Sequence, residues 1–425
     1  TQPYKGTRDF YPEDMRLRNW FFGKIRSALE LAAYEEYNGP MVENLDLYIA
    51  KSGEEIACEQ TYNFEDRGGR RLAIRPEMTP TVARLVAAKI NDLNMPLKWF
   101  SIPNLYRYER PQRGRLREHW QVNVDVFGCD TVDADMEVIS VAVMLLRNFG
   151  ADESMFKVHI NNRRFFNDVI AEICGTDAEG SRRVSKVVDR KNKIPREEYE
   201  KQLNELGLDA DKIEKIDSLY SMSVDEAAAV CPDSVGSKEL LTLFTALRAT
   251  GLDKYCVFDF GIIRGLDYYT GTVFEVFDEA PENNRAMFGG GRYDNLVGLF
   301  VKNSNVSGVG FGFGDVTLEN FLVTHKLVPE NFGNGKKVLV ARFDDVPVEK
   351  YYSIVENLRG AGVVTSLYTG LKKFGKQIDY AVKGSYSHVV IMGGSELQSG
   401  VAKIKDLTTR EESEVAAADI AKFFE

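Results

Sequence analysis

Residues 106–128 read YRYERPQRGRLREHWQVNVDVFG and join an arginine-rich loop to a strand. Five arginines fall within eleven residues of this loop, in a chain whose formal net charge is -10. In the strand that follows, valine alternates with the polar residues Gln121, Asn123 and Asp125. Side chains of a strand alternate between its two faces. A polar face beside a basic loop predicts the floor of a site for a polyanion and a small polar ligand. The alternative is an amphipathic edge hairpin whose polar face is solvated.

Length and composition predict a soluble cytoplasmic protein of two or three domains. The chain has 425 residues, of which 44% are hydrophobic and 28% are charged. No window approaches the ~18 consecutive apolar residues that a membrane helix needs, and the first residues lack the apolar core of a secretion signal. The five cysteines show no metal-binding or CxxC spacing, which predicts reduced thiols and no structural metal.

Changes in composition along the chain predict its domains. We predict a catalytic domain over residues 1–327, with a polar helical insertion at about 176–250. A glycine-containing linker, VPENFGNG, occupies 328–335. Residues 336–425 alternate strands and helices, a pattern typical of a small α/β domain with a mostly parallel sheet. Its predicted strands lie at 336–343, 363–367 and 387–392, and its predicted helices at 346–361 and 374–384.

Three further segments carry polar residues where core residues would be expected. RGLDYYTGTVFE (264–275) contains two adjacent tyrosines, whose hydroxyls need partners when buried. GGGRYD (289–294) lets the backbone approach a ligand closely, or else forms a tight turn with a surface arginine. RPEMTPTVAR (75–84) presents Glu77 and Thr79 on a proline-framed loop, unless Thr79 is a helix N-cap.

Taken together and in order, these motifs resemble those of the histidyl-tRNA synthetases, a family of class II aminoacyl-tRNA synthetases. The resemblance rests on five segments: GTRDF (6–10), RPEMT (75–79), YRYERPQRGRLREHWQ…DVFG (106–128), RGLDYYTGTVFE (264–275) and GGRYD (290–294). It implies an α+β catalytic domain on an antiparallel sheet, the class II synthetase fold, with a helical insertion. It also implies that residues 336–425 form an α/β anticodon-binding domain.

The resemblance implies a reaction that joins histidine to ATP as an adenylate and passes the histidyl group to tRNA(His). ATP with Mg²⁺ is the implied cosubstrate, with no resident metal, and a homodimer is the implied assembly. The implied site residues are as follows: Arg107 and Arg264 for catalysis at the α-phosphate; Glu77, Thr79, Gln121, Asp125, Tyr268, Tyr269 and Tyr293 for histidine; Arg107, Glu109, Arg115 and Arg264 for ATP; Gln112, Arg113, Lys372 and Lys373 for tRNA.

Two positions depart from the family pattern. Asp125 stands where the family more often has the longer glutamate. In the segment GVGFGFGDVTLENFL (308–322), Thr317 stands where the resemblance predicts an arginine stacked on the adenine of ATP. Either the adenine site is completed by another residue, Arg115 or Arg292, or the enzyme is impaired; we favour a variant site, because the other reactive positions that align are occupied.

Other functions remain open at this stage. A synthetase-like regulatory subunit of ATP phosphoribosyltransferase would share the fold, but such relatives typically lack the C-terminal domain and have a degraded RGLDYYT segment. A simple RNA-binding module would leave Glu77, Asp125 and the paired tyrosines without a role. A synthetase for threonine, proline or glycine should lack the RGLDYY segment.

Overall fold

The computed structural model describes residues 1–52, 58–112, 114–176, 178–191, 194–262, 269–283, 285–301, 305–330, 336–370 and 372–424. Three residues of the predicted site, Arg113, Arg264 and Tyr268, lie outside these ranges. The chain divides into two compact units, Thr1–Pro329 and Glu330–Glu425, at a point within the predicted linker. In the part of the chain covered by these ranges, no helix is long and apolar enough to cross a membrane.

The strands of the first unit form one large sheet and one small one. In chain order they are β1 (Glu35–Glu36), β2 (Val42–Asn44), β3 (Tyr62–Glu65), β4 (Arg71–Ile74), β5 (Leu97–Ser101), β6 (Asn104–Tyr106), β7 (Glu118–Phe127), β8 (Phe156–Asn162), β9 (Cys256–Phe258), β10 (Thr272–Asp278), β11 (Ala286–Arg292) and β12 (Gly308–Gly314). The large sheet has the order β1-β5-β7-β12-β11-β10-β8-β9, with β6 paired to β7, and the small one the order β2-β4-β3.

The predicted antiparallel sheet is confirmed in the middle of the large sheet. Strands β5, β7, β12, β11, β10 and β8 pair antiparallel in succession, whereas the edge pairs β1–β5 and β8–β9 are parallel. Strand β7 is buried along most of its length, since its valines enter the main hydrophobic cluster and its polar residues line a cavity on the other face.

The helices of the first unit cover this sheet. They are α1 (Pro12–Leu31), α2 (Asp46–Ser52), α3 (Thr79–Ala88), α4 (Val132–Arg147), α5 (Arg163–Cys174), α6 (Ala178–Val188), α7 (Arg196–Glu205), α8 (Ala210–Ser218), α9 (Val224–Val230), α10 (Val235–Thr250) and α11 (Asp315–Thr324). Helices α6 to α10 occupy the predicted insertion. Their apolar residues, such as Tyr199 and Leu243, belong to the same continuous cluster as Val158 of the sheet. The insertion therefore shares its core with the sheet.

The second unit is a five-stranded sheet with helices. Its elements are β13 (Lys337–Val340), α12 (Val348–Gly360), β14 (Val364–Leu367), α13 (Phe374–Lys383), β15 (His388–Ile391), α14 (Gly394–Ser399), β16 (Val401–Asp406) and β17 (Glu412–Ala416). Alternate residues of β13 enter two separate apolar clusters, because strand side chains point to opposite faces. The predicted strands and helices are confirmed.

The prediction of a mostly parallel sheet is correct for only part of this unit. Strands β14, β13 and β15 pair in parallel, but β16 and β17 extend the sheet as an antiparallel hairpin. In β16 the buried Ala402 and Ile404 alternate with Lys403 and Lys405. This is the period-two pattern of a strand with one solvated face, and the sequence analysis overlooked it.

Candidate active site

The floor of the site is a row of glycines opposite the polar face of β7. Gly310 of β12 pairs with Asp125, and Gly312 pairs with Asn123. A Cβ atom on Gly312 would lie 2.7 Å from the Gln121 side chain, and one on Gly310 would overlap the Asp125 carboxylate and the Val124 carbonyl oxygen. Glycine is therefore required at position 310, where the obstacle includes backbone, whereas a side chain at position 312 would displace the end of Gln121. Because Gly310 and Gly312 carry no side chains, the polar groups of β7 face open space.

That space is a cavity of about 160 Å³, which we call the first cavity. Seven of its lining residues were predicted from the sequence to belong to the site: Glu77, Thr79, Arg107, Gln121, Asp125, Tyr269 and Tyr293. The other lining residues are Asn123, Gly289, Gly310, Phe311 and Gly312. Segments distant in sequence thus converge on one small polar cavity, and their individual roles remain predictions.

A buried carboxyl group and a buried phenol line one part of the first cavity. Asp125 is 4% exposed and Tyr293 is 2% exposed, and the Tyr293 hydroxyl donates a hydrogen bond to Asp125 Oδ1. Burial raises the pKa of Asp125 to about 7, although the hydrogen bond from Tyr293 opposes this rise. A carboxyl group with this pKa changes its charge near neutral pH. Together the two groups can bind a small ring that carries hydrogen-bonding nitrogens.

Another part of the lining comes from the RPEMT loop and the start of the arginine-rich loop. Thr79 is the first residue of α3 and the N-cap position is Met78, so the N-cap interpretation of Thr79 is wrong. Arg75, which is buried, anchors the loop through hydrogen bonds to the carbonyl oxygens of Gly39 and Asn104. Arg107 Nε donates to the Pro76 carbonyl oxygen at 2.9 Å. This bond holds a permanently charged guanidinium at the wall of the first cavity.

Arg292 does not complete an ATP site, contrary to the sequence expectation. Its side chain is 3% exposed and forms an ion pair with Asp135, itself 2% exposed. Its guanidinium also donates to the carbonyl oxygens of Cys129 and Thr131 at 3.0 and 2.8 Å. Arg292 therefore ties β11 to the start of α4. A sequence cannot distinguish such an arginine from a ligand-binding one, because its partners lie on another element.

A second cavity, of about 630 Å³, adjoins the arginine-rich loop. Its lining residues are Gly114, Arg115, Glu275, Phe277, Asp278, Glu282, Asn283, Arg285, Ala286, Met287, Thr317 and Asn320. Arg115 Nη1 is 2.9 Å from the Glu109 carboxylate, so two of the four residues predicted to bind ATP pair with each other here. Thr317 donates its hydroxyl to the carbonyl oxygens of Met287 and Gly314 at 2.8 and 3.0 Å.

The GTRDF motif helps to hold the end of β12, an inner strand of the large sheet, against β7. Asp315, at the first position of α11, accepts hydrogen bonds from Arg8 and Arg18 at 2.7 and 2.6 Å and from the Trp120 backbone at 3.0 Å. The Arg18 guanidinium lies 4.1 Å from the ring centroid of Phe10 and 4.2 Å from that of Trp120. These contacts fix the end of β12 against β7 and position Thr317 beside the second cavity.

The remaining predicted residues lie in different surroundings. Gln112 accepts a hydrogen bond from Arg285 at 3.3 Å, whereas Lys372 and Lys373 are exposed at the start of α13 in the second unit. Asn123 was predicted only as part of the polar face of β7, without a ligand of its own, and Arg285 was not predicted. Asn123 could have been included because it lies on the polar face of β7, but a single arginine in a turn gives no such signal. No cluster of metal-ligating side chains occurs among the residues that the structure describes.

The sheet, with its glycine-lined polar cavity, defines the first unit as a class II aminoacyl-tRNA synthetase catalytic domain. The Histidyl-tRNA synthetase family model matches residues 6–315, and the Anticodon binding domain model matches residues 337–425. The chain belongs to the histidyl-tRNA synthetase family.

Similar proteins agree with this assignment. A histidine--tRNA ligase of Leptospira biflexa is 44% identical over 416 residues, which cover 96% of this chain and 94% of the relative. A chloroplastic/mitochondrial histidine--tRNA ligase of Arabidopsis thaliana is 36% identical, over 98% of this chain and 85% of the relative. The crystal structure of histidyl-tRNA synthetase from Nostoc sp. PCC 7120 superposes with a TM-score of 0.83 at 26% identity, covering 100% of this chain and 98% of that chain.

Proposed function

We propose that this chain is a histidine--tRNA ligase, which activates histidine with ATP and transfers it to the terminal ribose of tRNA(His). The observation that carries the proposal is the first cavity, where Asp125 and Tyr293 lie at one end and Arg107 at the wall. This arrangement provides hydrogen-bonding groups for an imidazole and a cation for a phosphate within one small space. The family membership supports the same activity.

The proposed first step is attack by a histidine carboxylate oxygen on the α-phosphorus of ATP. A new P–O bond forms, the bond to the β-phosphate oxygen breaks, and pyrophosphate leaves. Arg107 stabilises the charge on the phosphorus oxygens, because its planar guanidinium remains ionised and can donate to two of them. Arg264, outside the described residues, keeps its predicted role on the other side of the reacting carboxylate. In the second step the tRNA ribose hydroxyl attacks the histidyl carbonyl carbon and AMP leaves.

The remaining residues of the first cavity recognise the amino acid. Glu77, Thr79 and Gln121 are proposed to hold its ammonium and carboxylate groups. Asp125 and Tyr269 are proposed to bind the imidazole, with Tyr293 orienting Asp125 through its hydroxyl. A side chain of similar shape without ring nitrogens would leave buried polar groups unpaired. Such a penalty can give discrimination of ~10⁴ to 10⁵ without an editing site.

ATP is proposed to bind beside the arginine-rich loop. The tRNA is proposed to contact this loop and the second unit. Mg²⁺ would neutralise phosphate charge when ATP is bound. Gln112 and Arg113 are proposed to approach the acceptor end of the tRNA, and Lys372 and Lys373 its anticodon. A homodimer and a cytoplasmic location complete the proposal.

The decisive experiment is pyrophosphate exchange measured with each of the twenty amino acids. Exchange that depends on histidine alone is expected, and exchange with another amino acid would reject the assignment.

The proposed contacts of the second unit with tRNA need a separate measurement. The double variant Lys372→Ala/Lys373→Ala should lower aminoacylation about fivefold at physiological salt, because each lysine would neutralise a phosphate, and should leave exchange unchanged. Equal loss of both activities would indicate a folding role for the two lysines.

The regulatory-subunit alternative is less well supported. Residues 337–425 match the anticodon-binding family, a domain that such subunits typically lack. The relatives described above are named histidine--tRNA ligases, and their similarity covers almost the whole chain. Histidine-dependent exchange by the purified chain would also exclude this alternative, because a non-catalytic subunit forms no adenylate.

A further inference from the structure

The first and second cavities lie on the same side of the large sheet. Gly289 of β11 lines the first cavity, and Met287, two residues earlier on the same strand, lines the second. The pairing of β10 with β11 is irregular at Met287, so the shared face follows from the regular pair next to it, since paired residues of neighbouring strands point to the same face. Glu275 of β10 pairs with Gly289 and lines the second cavity. On the function proposed above, a nucleotide whose α-phosphate lies at Arg107 therefore extends along this face into the second cavity.

The lining of the second cavity suits a base better than a polyphosphate. Its two arginines are outnumbered by three carboxylates, those of Glu275, Asp278 and Glu282. Such a lining does not attract a triphosphate electrostatically. Phe277 and Met287 add apolar surface, and the carboxylates can accept hydrogen bonds from an exocyclic amine. The cavity is thus chemically suited to adenine.

Thr317 provides no cation for this base. Its hydroxyl is bonded to two main-chain carbonyl oxygens, and its methyl group would lie 3.8 Å from a Cβ atom on Gly114. The short side chain therefore lies near Gly114 of the arginine-rich loop. Space that a longer residue would fill remains part of the second cavity.

Arg285, in the turn between β10 and β11, also lines the second cavity. Its Nη2 atom donates to Gln112 Oε1 at 3.3 Å, so the guanidinium reaches from the turn to the arginine-rich loop. The second arginine of the cavity, Arg115, is paired with Glu109 at 2.9 Å. Of the two, Arg285 is held by a neutral amide, whereas Arg115 is held by a carboxylate.

We propose that Arg285 supplies the guanidinium that stacks on the adenine of ATP, in place of the arginine expected at position 317. A planar guanidinium binds an aromatic face by stacking and by cation–π attraction. The same contact can be made from the β10–β11 turn because Thr317 leaves the space above the base open. This inference rests on the proposed function, since it takes ATP to be the nucleotide.

The first test is Arg285→Ala, assayed by histidine-dependent pyrophosphate exchange. The KM for ATP should rise about tenfold, the size expected for loss of one cation–π contact, while the KM for histidine stays unchanged. Arg285→Lys should resemble the alanine variant, because lysine keeps the charge but loses the planar group. Arg67→Ala is the matched control, since Arg67 is an exposed arginine in the β3–β4 turn and lines neither cavity.

A second test introduces an arginine at position 317, where the family pattern has one. The double variant Arg285→Ala/Thr317→Arg should regain most of the ATP affinity that Arg285→Ala loses. Inhibition by inorganic tripolyphosphate should be equal in the wild type and Arg285→Ala, because this probe has no base. An unchanged KM for ATP in Arg285→Ala, a larger effect from Arg115→Ala, or an equal loss of tripolyphosphate binding would overturn the proposal.

The inference and the proposed function can fail separately. If the wild-type chain shows no histidine-dependent exchange, the proposed function fails. Calorimetric binding of a non-hydrolysable ATP analogue to the wild type and to Arg285→Ala still tests the role of Arg285 in that case. If exchange is normal and both proteins bind the analogue equally, only the role of Arg285 is rejected.

Discussion

The two cavities of the catalytic unit are built in different ways. The first is small, and its floor consists of the polar face of β7 and the glycines of β12, whose register is set by backbone hydrogen bonds. The second is larger, and although Glu275 and Asp278 lie on β10, both of its arginines come from a loop and a turn. A strand-built site tolerates little change, because each side chain faces a fixed neighbour. A site built from turns can obtain the same charge from another residue, which is the relation we propose between Arg285 and Thr317.

Arg107→Ala, in the wall of the first cavity, should give the largest effect. Adenylate formation is expected to fall by at least ~10²-fold, comparable to the loss of one preorganised transition-state donor. Pyrophosphate exchange at saturating histidine and ATP measures this step. Near-normal exchange would show that the first cavity does not bind the reacting phosphate, and the contrast between the cavities would then lose its functional meaning. Arg67→Ala again serves as the control.

Gly310→Ala tests the requirement for glycine in the floor of the first cavity. The new methyl group would overlap the Val124 carbonyl oxygen, which belongs to a paired strand and cannot move aside easily. Overpacking of this kind typically costs about 1–3 kcal/mol. We expect a lower melting temperature and a histidine KM raised by about tenfold or more, since the same methyl group displaces Asp125.

The control for this change is Gly23→Ala in α1, where no atom lies within 4 Å of the added Cβ. A helical glycine replaced by alanine should gain about 0.5–1 kcal/mol of stability. If Gly310→Ala behaved like Gly23→Ala, in melting temperature and in histidine KM, glycine would not be required in the floor of the first cavity.

The pH dependence of histidine binding tests the buried end of the first cavity, with a smaller effect. Because burial raises the pKa of Asp125 to about 7, the carboxylate that accepts an imidazole N–H forms only as the pH rises through that value. The histidine KM should therefore fall between pH 6 and pH 8, by at most about tenfold per pH unit. Asp125→Asn should show only the titration of the histidine ligand.

Tyr293→Phe sharpens this prediction. The Tyr293 hydroxyl lowers the pKa of Asp125, so its removal should raise that pKa further and move the fall in KM to higher pH. The ATP KM should not follow this pH shift, because Asp125 does not line the second cavity. A shift to lower pH, or an equal shift in both KM values, would contradict the assignment of Asp125 to the imidazole.

The first cavity was more predictable from sequence than the second for a physical reason. The period of two along β7 showed that Gln121, Asn123 and Asp125 share a face, since that period follows from backbone geometry alone. The motif resemblance added Arg107 and Tyr293, which line the same cavity. The expectation for Arg292 was wrong because the sequence does not show which residues an arginine side chain contacts. Its partner Asp135 lies on α4, and no local pattern reveals that pairing.

What the sequence by itself determined was the order of strands and helices, the polar face of β7 and membership of the family. These depend on periodicity and on motifs, both of which are written locally along the chain. Only the tertiary structure decided that Arg292 forms a buried internal ion pair and that Arg285 lines the second cavity beside Thr317. Long polar side chains take their roles from whatever lies within reach, and in this chain those neighbours are set by strand register between distant segments.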